Sequence, residues 1–119
     1  MKQINVGIIG TGWCGGIRAE ACAQNPLVKD LHVVETRPER LAEIARKTNA
    51  VSATDDYKKV IARDDVDAII ISATPEVLHY PMAREALLAG KHVFLEKPIA
   101  IELHEADDLI RIEIGRAHV

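Results

Sequence analysis

The sequence predicts a doubly wound α/β domain: an open parallel sheet with helices on both faces. Three observations carry that expectation. Short apolar runs alternate with amphipathic helical stretches along the chain. The apolar residues are mostly Ala, Ile, Leu and Val, with only 3% aromatic, which suits helices packed on a buried sheet. A glycine-rich turn follows the first apolar run directly. Strands separated by helices need crossover connections, and these make the strands parallel and cover both faces.

Val6-Gly7-Ile8-Ile9 is the first expected strand, ending in the glycine turn. The Ala-rich stretch Ile17 to Gln24 is expected to be helical and stops before the breaker pair Asn25-Pro26. Leu31 to Glu35 gives a second strand. A helix follows from Pro38, a residue favoured in a first turn, with Leu41, Ile44 and Ala45 inward. Ala50 to Ala53 suggests a short third strand, and Asp55 a cap for a small helix carrying Tyr57, Val60 and Ile61. Ala68-Ile69-Ile70-Ile71 is the clearest strand in the sequence. Beyond Ala73-Thr74-Pro75, Leu78, Met82, Ala83, Ala86 and Leu87 mark an amphipathic helix closed by Gly90. His92 to Leu95 is the fifth strand, and Ile99, Leu103, Ala106 and Ile110 step by four, three and four, which predicts a last helix.

The bulk properties narrow the function. A chain of 119 residues suits one domain. A net charge of −3 with scattered Lys and Arg gives no footprint for nucleic acid, and no apolar run approaches a membrane span. The amino end enters a strand at once, leaving no room for a signal peptide. Cys14 and Cys22 make no disulfide framework and lack partners at zinc spacing, so no metal site and a cytoplasmic location with reduced thiols are expected. The last six residues, Ile114 to Val119, resemble one reading frame of a common sequencing adapter. Residues 1–113 are therefore expected to form the domain, as the amino-terminal piece of a longer protein, with 114–119 a non-native tail.

Gly10-Thr11-Gly12-Trp13-Cys14-Gly15 fits G-x-G-x-x-G, the dinucleotide-binding fingerprint of a Rossmann domain. Gly10 turns the chain sharply, Gly12 lets the backbone approach a pyrophosphate, and Gly15 allows close packing of helix on strand. Trp13 and Cys14 contribute backbone N–H groups at the positive end of the helix, where an anion sits. The motif alone is weak, and its bland reading is a flexible turn with a solvated glutamate nearby. Here, however, it follows a strand, opens a helix and is followed by Glu35 at the end of strand two, placed to accept hydrogen bonds from the adenosine ribose. Glu35 should repel a 2′-phosphate and favour NAD. Arg37 and Arg40 leave NADP open, because either guanidinium can pair with that phosphate, stack on adenine or simply be solvated.

Downstream stand Ser72-Ala73-Thr74-Pro75, His79 and Glu96-Lys97-Pro98. Ligands of open parallel sheets bind beyond the carboxyl ends of the strands, where these segments fall. A lysine there, beside a carboxylate and a cofactor, can hold a substrate oxygen and help move its proton. With the glycine turn, these segments resemble the Gfo/Idh/MocA oxidoreductases over residues 4 to 112. The resemblance implies that Lys97 is catalytic, contacting the substrate hydroxyl and the nicotinamide ribose. It implies that Glu96 and Pro98 shape the nicotinamide site, with a cis peptide at Pro98. Ser72, Ala73, Thr74 and Pro75 would line the path between adenosine and nicotinamide. His79 matches a family histidine, although a helix-start histidine satisfied by backbone is an equal reading.

The resemblance also implies a sugar, cyclitol or polyol substrate, a homo-oligomeric parent, and a second α/β domain supplying a catalytic histidine. Nothing in this chain matches that domain: His32 and His92 fall in strands, His104 in the last helix and His118 in the suspect tail. The chain by itself is expected to bind dinucleotide weakly and to turn over nothing. Two rivals remain, a non-catalytic dinucleotide sensor and an S-adenosylmethionine methyltransferase, the latter disfavoured by the third glycine and by Glu-Lys-Pro. There is no G-x-S-x-G elbow and no Walker lysine.

Overall fold

A computed structural model describes residues 2–117, so that the expectations for His118 and Val119 lie outside it. Five parallel strands form one sheet in the order β3-β2-β1-β4-β5. They are β1 (Ile4–Ile9), β2 (Val28–Val34), β3 (Ser52–Thr54), β4 (Ala68–Ile71) and β5 (His92–Leu95). The helices are α1 (Trp13–Gln24), α2 (Pro38–Thr48), α3 (Tyr57–Ile61), α4 (His79–Leu88) and α5 (Leu103–Ala117), with a 3-10 turn at Glu76–Leu78. From β1 the chain winds outward to β2 and β3, then returns to β4 and β5. The reversal opens a crevice between β1 and β4 at their carboxyl ends.

Strand alternation divides the core in two. Val6, Ile8, Leu31 and Val33 point to one face and pack with Ala19 of α1 and Ile44 of α2. Ile9, Val34, Ile69 and Ile71 point to the other, against Val60 of α3, Met82 and Ala86 of α4 and Leu109 of α5. Side chains at successive strand positions face opposite ways, so each strand supplies both layers. His32 is fully buried in β2, with Nδ1 2.7 Å from Ser52 Oγ.

Several boundaries differ from the sequence expectation, each for a local reason. Helix α1 begins at Trp13, four residues before the Ala-rich stretch, because the glycine turn is itself its first turn. Strand β3 sits at Ser52–Thr54, since Asn49 adopts the left-handed conformation (φ 52°) and ends α2 before the chain becomes extended. Asp56, not Asp55, caps α3: its Oδ1 accepts from Lys58 N at 3.0 Å. The last helix forms, but the stepping residues are not what it buries. Leu103 is 79% and Ile110 52% exposed, while Leu109 is buried. Asp108 accepts from Tyr80 Oη (2.7 Å) and Arg84 Nε (3.2 Å) of α4, which turns Leu109 inward. Ile99 precedes the helix altogether.

Pro38 opens α2 as expected. At the end of α4, Gly90 (φ 82°) takes the left-handed conformation, and Lys91 N donates to Ala86 O at 3.0 Å.

Candidate functional site

The hydrogen-bond ladder extends one residue past each strand and lines up the site. Gly10 N donates to Val34 O (2.9 Å), Glu35 N to Thr54 O (3.1 Å), Ser72 N to Ile9 O (2.8 Å) and Glu96 N to Ile71 O (3.0 Å). Four residues far apart in sequence thus stand in a row along one sheet edge. Above them lies a cleft of about 630 Å³.

At its centre is the glycine turn. Gly10 has φ +89°, and a Cβ there would lie 2.6 Å from Ala73 N. A Cβ on Gly15 would lie 1.9 Å from Gly10 O and 3.1 Å from Ser72 Cβ, so only glycine lets α1 pack this tightly. Gly12 is different. A Cβ there meets only Arg37 Nη2, at 3.9 Å. The protein itself makes no demand for glycine at Gly12; the space above it is open to a ligand. The first intrahelical donor is Gly16 N, bonded to Gly12 O at 2.7 Å. No side chain caps the helix, so the N–H groups of its first turn are free to meet an anion.

Toward β2, Glu35 is nearly buried. Its Oε1 accepts from Thr11 N (3.0 Å) and Thr11 Oγ1 (2.8 Å), and its Oε2 from Arg37 N (3.1 Å) and Arg37 Nε (3.0 Å). Burial pushes its pKa up, but hydrogen bonds from Arg37 and Thr11 outweigh that and hold it down to about 2. The site therefore presents a fixed carboxylate. Arg37 is 61% exposed and covers it from solvent.

Toward β4 and β5, the segments after the strands meet. The Thr74–Pro75 and Lys97–Pro98 bonds are both cis; the sequence pointed only to the second. Lys97 is exposed at the rim, and its N–H donates to Glu96 Oε1 at 3.2 Å. The Arg18 guanidinium forms an ion pair with Glu96 and holds its carboxyl below the usual range, against the opposing effect of desolvation.

Most expected site residues line the cleft: Gly10, Gly12, Trp13, Cys14 and Gly15 of the turn, Glu35, then Ser72, Ala73, Thr74, His79, Glu96 and Lys97. Thr11 does not. It is fully buried and serves by holding Glu35. Arg40 does not either: its Nε donates to Thr11 O at 2.7 Å and it pairs with Glu43, so it braces the turn from behind. Pro75 and Pro98 flank the cleft without lining it. His79 is buried, with both ring nitrogens against carbonyl oxygens, Nδ1 to Pro98 O (2.7 Å) and Nε2 to Ala73 O (2.9 Å), which fits the backbone-satisfied reading. Sequence reasoning missed Tyr57, Leu78 and Met82 in the lining, and Arg18 behind Glu96. Arg18 had a signal: it lies one helical turn beyond Gly15, on the face that meets Ser72. No cluster of three metal-ligating side chains exists among the described residues, and none of their helices is long and apolar enough to cross a membrane.

A parallel sheet in this order, with a bare helix N-terminus at its switch point and an ionised acid after β2, defines a dinucleotide-binding Rossmann domain. Residues 4–118 match the Gfo/Idh/MocA family, described as an oxidoreductase family with an NAD-binding Rossmann fold, and the chain belongs to that family. A glycosyl hydrolase family 109 protein of Shewanella amazonensis is 36% identical over 124 residues, covering 92% of this chain and 26% of its own. Scyllo-inositol dehydrogenase of Lactobacillus casei, solved with NAD(H) and scyllo-inositol, superposes with a TM-score of 0.90 at 28% identity, covering 99% of this chain and 35% of that one. KijD10, a 3-ketoreductase from Actinomadura kijaniata solved with TDP-benzene and NADP, gives 0.84 at 30% identity, over 97% and 36%. The chain thus spans about a quarter to a third of the length of these relatives. Family membership removes the methyltransferase alternative.

Proposed function

We propose that this chain binds NAD, and more weakly NADP, as the cofactor domain of an oxidoreductase acting on a sugar, cyclitol or related polyol. The observation that carries the reading is Gly12, a glycine that nothing in the protein requires, at the open tip of α1. The pyrophosphate rests on the first-turn N–H groups of α1. Glu35 accepts from the adenosine ribose hydroxyls, which take over positions that Arg37 now holds. Released, Arg37 faces the 2′ position, which leaves NADP tolerated. The rest of the cofactor extends over Ser72 and Ala73 toward Lys97.

When bound, the nicotinamide supplies the hydride donor or acceptor. The chain's own part is to orient and to move a proton: Lys97 Nζ holds the substrate hydroxyl and shuttles its proton. The Glu96 carboxylate, tied to Arg18, keeps that ammonium company without capturing it. The substrate, its second binding surface, the assembly state and a cytoplasmic location belong to the proposal for the full-length protein.

A second reading has one specific support, the 36% identity to a glycosyl hydrolase family 109 protein. NAD-dependent glycosidases exist as exceptions to the two-carboxylate scheme. The same domain then serves glycoside cleavage with no net reduction of NAD. Titrating the chain with NADH and NADPH tests the shared part, and saturable binding is expected, tighter for NADH. Incubating the full-length protein with polyols and with nitrophenyl glycosides separates the rest. NADH formation from a polyol supports the dehydrogenase; nitrophenol release without NADH supports the glycosidase; neither, with NAD still bound, supports the sensor.

A further inference from the structure

Lys97 is exposed, yet the backbone on either side of it is held. Before it, the Glu96 carboxylate pairs with the Arg18 guanidinium through Oε2 and accepts from Lys97 N through Oε1. Arg18 Nη1 also donates to Ser72 Oγ at 3.2 Å, and its Cζ lies 5.1 Å from the Phe94 ring centroid. After it, Pro98 O meets His79 Nδ1 at 2.7 Å, and the same ring reaches Ala73 O at 2.9 Å. Arg18 itself does not line the cleft.

We infer that Arg18 is a positioning residue for Lys97, acting through Glu96. The inference rests on the dinucleotide reading and deepens it. Arg18 stands on α1, the helix whose first turn receives the pyrophosphate, and touches the residues after both β4 and β5. It ties the phosphate end of the site to the segment that meets the nicotinamide. One guanidinium nitrogen, Nη1, reaches Glu96 and Ser72 at once and carries the positive charge that pairs with the carboxylate, which a neutral side chain cannot do. Its loss frees the Glu96 carboxylate to draw the Lys97 ammonium away from the cleft.

The test compares NADH with ADP, which keeps the adenosine and both phosphates but lacks the nicotinamide and the ribose that carries it. In the present chain, Arg18→Met is expected to lower NADH affinity by about tenfold, since small misplacements at an oriented site cost that much or more. ADP affinity stays within about twofold, and Arg18→Lys recovers part of the NADH loss because it restores the charge. A merely structural role would weaken both ligands together. Should Arg18→Met melt early, Glu96→Gln removes the same ion pair at constant size, and the same selective loss is expected. Equal loss of both ligands, or no loss of either, overturns the assignment. Parent chain that binds neither ligand overturns the dinucleotide reading, and this inference with it.

Discussion

The two ends of the cleft are built differently. At the β2 end, Glu35 is buried and receives every hydrogen bond from residues within its own turn or the facing glycine loop, Thr11 and Arg37. At the β5 end, Lys97 is exposed and is held only indirectly, through Glu96 to Arg18 and through Pro98 to His79. The first end is rigid and presents a charge fixed in place. The second is a short span of backbone pinned at both sides, with the exposed Lys97 at its middle. Binding can tolerate a fixed carboxylate; proton transfer needs a group that reaches.

The largest expected effect separates the two ends at once. In the full-length protein, Lys97→Met should cut turnover by roughly 10²- to 10⁴-fold, the usual worth of a positioned proton-transfer group. ADP affinity, which involves neither the nicotinamide nor its ribose, should not move. Steady-state rates with a competent substrate check this, and unchanged turnover would place the proton transfer elsewhere.

Gly15→Ala addresses the joint between the ends, because its Cβ would lie 1.9 Å from Gly10 O and against Ser72. Overpacking of that kind is expected to cost about 3 kcal/mol of stability. Urea unfolding reads it, and a midpoint like the parent's would mean that α1 sits further from the sheet.

Glu35→Gln tests the rigid end alone. NADH and ADP should weaken together, by about tenfold. Stability should fall too, and the pH dependence has a definite sign. The folded pKa of about 2 lies below the ordinary 4.5, so the carboxylate stabilises the fold fully above pH 4.5 and progressively less as pH falls toward 2. That shift corresponds to about 3 kcal/mol at neutral pH. The gap in melting temperature between parent and Glu35→Gln should therefore narrow between pH 5 and about pH 2.

The smallest effect lies beside the cleft. Asp56→Ala removes the cap of α3 and should cost about 1 kcal/mol, whereas Asp55→Ala should cost almost nothing. Thermal melts of the pair decide which aspartate caps the helix.

The same contrast explains how much the sequence revealed. The alternation of apolar runs and helices was enough for the sheet, and the glycine turn with Glu35 was enough to place the β2 end of the cleft, because those signals are local and periodic. Arg18 carried only a weak signal, its spacing from Gly15: a charged residue on a helix is normally solvated, and its partner Glu96 lies 78 positions away, just past β5. Arg40 misled for the opposite reason. It lies near Glu35 in sequence, but the twist of α2 aims it at Thr11 O beneath the turn. The start of α5 was less legible because Ile99 continues the helical period across a boundary at Leu103, and the buried face is set by the contacts of Asp108 with α4.

The most direct measurement is a calorimetric titration of NADH into the parent chain and its Gly12→Val variant, with a thermal melt of each. A Cβ at Gly12 meets nothing in the protein nearer than the flexible end of Arg37, Nη2 at 3.9 Å, so the variant should keep the parent's melting temperature to within a few degrees while losing NADH binding by about a hundredfold or more. A variant that melts like the parent and still binds NADH as tightly would contradict the placement of the pyrophosphate on α1.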